Sequence, residues 1–332
     1  MQFPRAILMG DPEHFFIRSG SNPHTRTRWG IRKIVDSARA KKQWYHLARL
    51  FTQLGVRVVV LPPSRMNPGS VFPANAGILY PKEGTARGKR FYLSNLTPGR
   101  EAERPLYRIF LNRLGFKTAD VPYRFEGEAD FIETKSGFLF TWGPIVQQRF
   151  MPRFGFPPYQ RIYGFRSDAR NLEFLRQIAG GKKVLPLRLT NELFYHGDTL
   201  LSPFGPEGEY LLAYLPALAP ESQKELLSLF GEKLIALSHE DAGRFAANGF
   251  QVEINGLLHF ILPEGVSDHL LQTIGRMGVK VLTADVSEFS NKGGGSVKCL
   301  LCDLGCMDLE GGVVSGEERN FWEERSYSRL YP

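Results

Sequence analysis

The stretch Val286-Ser-Glu-Phe-Ser-Asn-Lys-Gly-Gly-Gly-Ser-Val-Lys-Cys-Leu-Leu301 decides how the rest of the chain is read. It reads as a strand running into a triple-glycine loop, which delivers one cysteine, Cys299, onto a new apolar strand at 297–304. Glycines accept positive φ and let the backbone pass close to a ligand. A thiol just behind such a loop is a candidate nucleophile. Taken alone, Cys299 is better read as a buried strand residue, because free cysteine is among the most buried residue types. Its neighbours decide. The last strand has no hairpin partner, helix or closing strand after it, so these must come from elsewhere.

Working outward, one order of elements repeats. Strands are expected at 71–80 and 89–94, a helix at 101–114 ended by Gly115, and a strand at 116–121. A second unit has strands 131–134 and 138–142 around Lys135-Ser-Gly137. A loop rich in Pro and aromatics follows at 143–165, then a helix capped by Ser167 or Asp168 and a strand at 184–189. The third unit has strands 199–204 and 209–214, helix 221–230 and strand 233–237. The fourth has strands 250–254 and 257–262 around Asn255-Gly256, a strong hairpin signal, then helix 266–277 and strand 279–286. The N-terminus supplies strand 5–10, helix 33–54 and strand 56–61, which are what the last strand lacks. Trp44, Leu47, Ala48, Phe51 and Leu54 share one face of that helix. Five ββαβ units, the fifth closed by both termini, predict a pseudosymmetric five-bladed α/β propeller. It would be a single catalytic domain over 1–304, followed by a C-terminal tail at 305–332.

The totals agree with one large soluble domain. The chain has 332 residues, 42% of them apolar, with 25 Phe and 12 Tyr to fill a core. Its 3 cysteines all lie between 299 and 306, which is no disulfide framework and points to a reducing compartment, the cytoplasm. No stretch approaches the roughly 18 apolar residues of a membrane span, and no signal segment is visible. The net charge is +8, with basic residues clustered at Arg26, Arg28, Arg32, Lys33, Arg39, Lys41 and Lys42, and again at Arg87, Lys89 and Arg90. No nucleic-acid-binding signature accompanies them, so they read as a solvated face. The expected partner is a small molecule, with no nucleic acid and no membrane; a homodimer is compatible.

Polar residues recur at the start of each unit: Asn75, then Glu126, Glu128 and Asp130, then His196 and Asp198, then Asn248, and finally Cys299. In a closed ring such equivalent positions face one axis. Singly, each is an ordinary turn or core residue; together they suggest a site. Glu126, Glu128 and Asp130 alternate, as do His196 and Asp198, so extended chain would put each set on one face. Carboxylates grip a guanidinium in forked geometry. A thiolate at Cys299 could attack the clamped central carbon. His196 would protonate the departing amine and then activate water against a covalent thiouronium, with a carboxylate, Glu126 first, orienting the imidazole.

Several motifs carry a resemblance. Asp11-Pro-Glu-His14, Asn22-Pro-His24, Phe72-Pro-Ala-Asn-Ala-Gly77, Phe125-Glu-Gly-Glu-Ala-Asp130, Tyr163-Gly-Phe-Arg-Ser-Asp168, Phe194-Tyr-His-Gly-Asp-Thr199 and the glycine loop resemble, in order, the guanidino-group-modifying enzymes. These are the amidinotransferases, dimethylarginine dimethylaminohydrolase and arginine deiminase, whose fold is the five-bladed pentein propeller. The resemblance implies Cys299 as nucleophile, His196 as acid and base, and Glu126 as its partner. It further implies Asp198, Asn75, Asp130 and Arg166 as substrate-binding residues, with Arg166 meeting a substrate carboxylate. Asn75 stands where deiminases carry an Asp, which is similar to the subgroup that hydrolyses arginine further or acts on citrulline.

The implied activity is hydrolysis of a C–N bond in arginine, methylarginine or citrulline, without a cofactor. An amidinotransferase passing the amidine to an amine, and a non-catalytic binding propeller, are the alternatives. Gly197, Glu128 and Ala129 depart from the family pattern, so the carboxylate that orients His196 stays open. Cys299, Cys302 and Cys306 read as C-x2-C-x3-C, but a zinc site wants four ligands and no second pair follows, so no metal is expected.

Overall fold

Among the described residues, backbone pairing sorts the strands into five three-stranded sheets of one topology and a sixth sheet of two strands. The computed structural model describes residues 4–18, 20–82, 89–308 and 315–332. In each three-stranded sheet the middle strand is antiparallel to one neighbour and parallel to the other. Arg5–Gly10 lies between Leu301–Cys306, antiparallel, and Arg57–Leu61, parallel, so the two ends of the chain share a sheet. The same arrangement joins Gly77–Tyr80, Arg90–Leu93 and Lys117–Asp120. It recurs in Phe131–Thr134, Gly137–Trp142 and Val184–Arg188. Leu201–Phe204, Tyr210–Ala213 and Leu234–Ala236 form the fourth such sheet, and Phe250–Ile254, Leu257–Pro263 and Lys280–Ala284 the fifth. A parallel closing strand needs a crossover. Helices Ser37–Gln53, Glu103–Arg113, Leu172–Ile178, Pro220–Phe230 and Asp268–Arg276 provide them.

The expected elements are present, with instructive differences. The first helix starts at Ser37, not 33, because the Asp36 carboxylate accepts the Arg39 N–H and caps it. Its buried face is Trp44, Leu47, Ala48 and Phe51. The expected strand 71–80 shortens to Gly77–Tyr80, since Pro68 and Pro73 open short 3-10 turns at Pro68–Val71 and Pro73–Asn75. The loop 143–165 contains an extra hairpin, Arg149–Pro152 with Tyr159–Ile162. The opening stretch changes most. No strand leads into the glycines: Ser287–Gly293 is a helix, ended by Gly294 in the left-handed region at φ 80°. Phe289 is buried on that helix, and the Glu288 carboxylate accepts the Asp36 N–H at 2.7 Å, tying it to the start of the first helix.

Apolar side chains fill the spaces between successive sheets. One core joins the sheets of Leu139, Leu211 and Phe260, another joins Val252 and Ile261 to Val58 and Leu301, and a third joins Leu8 and Val59 to Phe91. A fourth joins Ile78 to Phe131 and Phe140. The last segment packs on this body: Trp322 of helix Gly316–Glu324 is buried and donates its indole N–H to the Leu114 carbonyl at 2.9 Å. Lys89 belongs to no solvated face. It is buried and its ammonium donates to the carbonyls of Lys82 and Cys306. Arg87 lies outside the described residues. Among the described residues no helix is long and apolar enough to cross a membrane.

Asp303 locks the terminal sheet from inside. Its buried carboxylate accepts from Arg5 Nε at 3.0 Å and pairs with Lys82 at 3.0 Å, while its backbone N–H reaches Glu128 Oε2 at 3.0 Å. Breaking a buried pair leaves uncompensated charge, so Asp303→Asn is expected to cost about 3–5 kcal/mol in urea unfolding at pH 7. Burial by itself would raise the Asp303 carboxyl, but Arg5 and Lys82 outweigh it and hold the group well below the usual range. A depressed carboxyl lends its stability in full above the unfolded value, about pH 3.9, and loses it as the pH falls toward the folded one. The variant should therefore lose less stability than the wild type on going from pH 7 to pH 3. Equal unfolding curves for the two proteins would refute this role.

Candidate active site

Short turns, not strands, carry the polar residues that the sequence singles out. Pro73–Asn75, Gly127–Ala129, Gly197–Thr199 and Lys298–Leu300 are single 3-10 turns, each just ahead of the first strand of its sheet. Cys299 therefore sits on a turn ahead of strand Leu301–Cys306 rather than on it. A turn rotates successive side chains apart, so the alternating acids do not share a face. Glu126 points to the cavity, Glu128 binds Lys298 and the Asp303 N–H, and Asp130 is enclosed behind His196.

The glycines do what close approach requires. A Cβ on Gly295 would lie 2.8 Å from the Cys299 Cβ and 3.0 Å from the Phe72 ring. Gly295→Ala must displace the thiol. A shift of about 1 Å costs on the order of 10²-fold in rate, so turnover is expected to fall at least about tenfold, with circular dichroism unchanged. Unaltered turnover would show that the thiol tolerates the crowding.

A solvent-open cavity of about 770 Å³ has Asn75, Arg100, Glu126, Arg166, His196 and Cys299 in its wall, with Phe15 and Phe72 as its apolar side. Cys299 is buried; its thiol donates to Asp198 Oδ2 at 3.2 Å. Burial and then the Asp198 charge push the thiol well up from its ordinary value. Asp198 Oδ1 is also buried and has no hydrogen-bond partner among the described residues. An unpartnered buried carboxylate oxygen is costly unless a donor arrives.

His196 Nε2 lies 2.9 Å from Glu126 Oε2, and its Nδ1 bonds to no described residue. Glu126 Oε1 accepts from both the N–H and the hydroxyl of Thr97, at 3.1 and 2.7 Å. Burial alone would raise the Glu126 carboxyl; His196, and then Arg100 and Arg166, hold it well below the carboxylate range. For His196, burial is outweighed by Asp130, Glu126 and Asp198, and the imidazole rises above its ordinary value.

Not every expected residue reaches the cavity. Asp130 is enclosed, accepting from Thr141 Oγ1 and Ser167 Oγ at 2.6 Å each and from the Gly197 N–H at 3.0 Å. Arg166 is in the cavity wall, donating to the Ser21 carbonyl at 2.5 Å and stacking over Tyr195. Asn75 Oδ1 accepts from Arg100 Nη1 at 2.7 Å. Sequence reasoning missed Arg100, which is forked onto Glu103 at 2.9 and 2.7 Å and lies 3.9 Å from Glu126 Oε2. Its only sequence signal is the i,i+3 spacing to Glu103, which is also common on helix surfaces. Cys302 faces an apolar core, and among the described residues no three His, Cys, Asp or Glu side chains gather to hold a metal.

No family model matches the chain. It is 29% identical over 299 residues to the bifunctional arginine dihydrolase/ornithine cyclodeaminase ArgZ of Synechocystis sp., covering 89% of this chain and 37% of that protein. It is 29% identical over 300 residues to the protein AgrE of Nostoc sp., described in the same words, with the same coverage. The chain thus spans little more than a third of the curated relatives it matches. The solved N-terminal domain of ArgZ, a cysteine-to-serine variant with substrate bound, matches at TM-score 0.74 and 26% identity, over 91% of this chain and 98% of that one. A further structure of that domain, an asparagine-to-serine variant, is covalently bound to a reaction intermediate; it matches at TM-score 0.72 and 26% identity, over 92% and 100%. A dimethylarginine dimethylaminohydrolase carrying an adduct with S-methyl-L-thiocitrulline shares the fold, at TM-score 0.63 and 20% identity, over 91% and 99%. In sequence and in fold, the chain resembles these guanidino-group-modifying enzymes.

Proposed function

We propose that this chain hydrolyses arginine through a covalent intermediate on Cys299. The observation that carries the reading is the thiol on the cavity wall beside Asp198, whose second oxygen awaits a donor. The substrate guanidinium supplies that donor and neutralises Asp198, which removes the charge that keeps the thiol protonated. The thiol releases its proton to solvent through the open cavity, and the thiolate sulfur bonds to the guanidine carbon. The proton held by His196 goes to one terminal nitrogen, the C–N bond breaks and ammonia departs, leaving a thiouronium. His196 then takes a proton from water, whose oxygen attacks the same carbon and expels the sulfur, giving citrulline. Repeating the cycle on citrulline with a second water gives ornithine, carbon dioxide and a second ammonia. The dihydrolase names of the relatives support two rounds, as does Asn75 in place of a carboxylate. Arg166, on the wall of the same cavity, meets the substrate carboxylate.

We also infer that the five sheets close into a ring. The turns at 298–300, 73–75, 127–129 and 197–199 touch in that order, and Asn248 bonds both Asp198 and Cys299. The expected boundary after 304 moves to after Cys306, which still pairs in the terminal sheet, and residues 315–332 are then an appendage to one catalytic unit. Three free thiols suit a reducing cytoplasm.

The test is incubation with arginine, with ammonia and amino-acid products quantified, with and without glycine as an amine acceptor. Two ammonia per ornithine are expected. Absence of ammonia from arginine, citrulline and methylarginines, or appearance of guanidinylated glycine, would overturn the reading.

A further inference from the structure

We infer that Asn248 is a positioning residue that sets the aim and acidity of the Cys299 thiol. This rests on the reading of Cys299 as nucleophile. The Asn248 side chain is fully buried, and a primary amide has two donors and two acceptor lone pairs. All four are used on the nucleophile and its surroundings. Oδ1 accepts the N–H groups of Ser296 at 3.0 Å and Cys299 at 3.1 Å. Nδ2 donates to the Asp198 carbonyl at 3.0 Å and to Cys299 Sγ at 3.2 Å. The Asn248 carbonyl also accepts the Lys298 N–H at 3.0 Å. One residue thus joins the turn of Asp198 to the turn of Cys299.

The two ends of the amide do different work. Oδ1 pins the backbone on both sides of Val297 and so fixes where Sγ points. The Nδ2–Sγ bond is not needed to hold the loop. A donor aimed at sulfur favours the thiolate, and so opposes burial and the Asp198 charge. Around the thiol, the other charged or titratable groups are Asp198, His196, Tyr195, Lys298, Glu126, Arg166 and Arg100; of these, Asn248 itself bonds to Asp198, through the carbonyl.

The test is the pH dependence of Cys299 alkylation by iodoacetamide, followed by peptide mass, in wild type, Asn248→Asp and Asn248→Ala. Aspartate keeps an acceptor at Oδ1 but replaces the donor to sulfur with a charged oxygen. Its alkylation midpoint is expected to rise by about one pH unit or more, which slows labelling below the midpoint about tenfold. Alanine should raise it less and lower kcat for arginine with little change in KM. A purely structural role would lower stability and leave the midpoint where it is. An unmoved midpoint in whichever of the two variants folds, judged by circular dichroism, overturns the inference. A Cys299→Ser variant that keeps turnover would overturn both this and the nucleophile assignment; a titrating thiol unmoved by either substitution overturns this one alone.

Discussion

Replacing Cys299 with serine is expected to lower arginine turnover by a factor on the order of 10⁴ or more while leaving the fold intact. The reason is the reacting atom. A hydroxyl is far less acidic than a thiol, and the acceptor beside it, the Asp198 carboxylate, is too weak a base to take its proton. The serine Oγ can keep the acceptor Asp198 Oδ2 and the donor Asn248 Nδ2, so the loop retains both anchors. Unfolding free energy should therefore change by no more than about 1 kcal/mol, and arginine should still bind, measurable by calorimetry. Serine at Cys306, a half-buried residue on the strand after the site, serves as the control and should leave turnover unaltered. If the Cys299 variant retained turnover within tenfold of wild type, the covalent route through this thiol would be wrong.

Glu126→Gln should produce the second largest loss, about 10²–10⁴-fold, the range over which a general acid–base group contributes. Its diagnostic is a pH profile. His196 must carry a proton to release ammonia, and in the folded protein its imidazole titrates above the ordinary value. Activity therefore persists until the pH rises through that raised value. Burial pulls the imidazole down; Asp130, Glu126 and Asp198 pull it up. Glutamine removes one of these charges, so the protonated form is lost at lower pH and the alkaline limb of kcat must move toward acid. The stability that the depressed Glu126 carboxyl lends is present above about pH 4.3 and declines as the pH falls below it. The glutamine variant should lack that acid-side decline. An alkaline limb that stays in place would remove Glu126 as the partner of His196.

Much of the fold was legible from spacing alone, because hairpin turns and helix caps are local events. Asn255-Gly256 turns between its two strands, and Gly115 follows the end of the second helix. The pairing of Arg5–Gly10 with Leu301–Cys306 was also legible, since the last strand had no partner within its own segment. The stretch around the glycines was misread for a physical reason. Ser287–Gly293 forms a helix because Glu288 and Phe289 find partners on the first helix and in the core, contacts that are remote in sequence. The acids at 126, 128 and 130 were assigned one face on an extended backbone; a turn at Gly127–Ala129 sends them to three environments.

The sequence by itself determined the repeat of ββαβ units and the split of one unit between the termini, and it marked Cys299, His196, Glu126 and Asp198 as the candidate reactive set. These follow from residue type and order, which chain folding does not change. Tertiary structure alone decided which carboxylate meets the imidazole, that Asp130 is enclosed, that Arg100 holds Asn75, and that Asn248 holds the thiol. Those contacts span from 11 to 70 residues of chain, and those of His196 and Asn248 exist only because turns from different sheets are brought together, which no local pattern records.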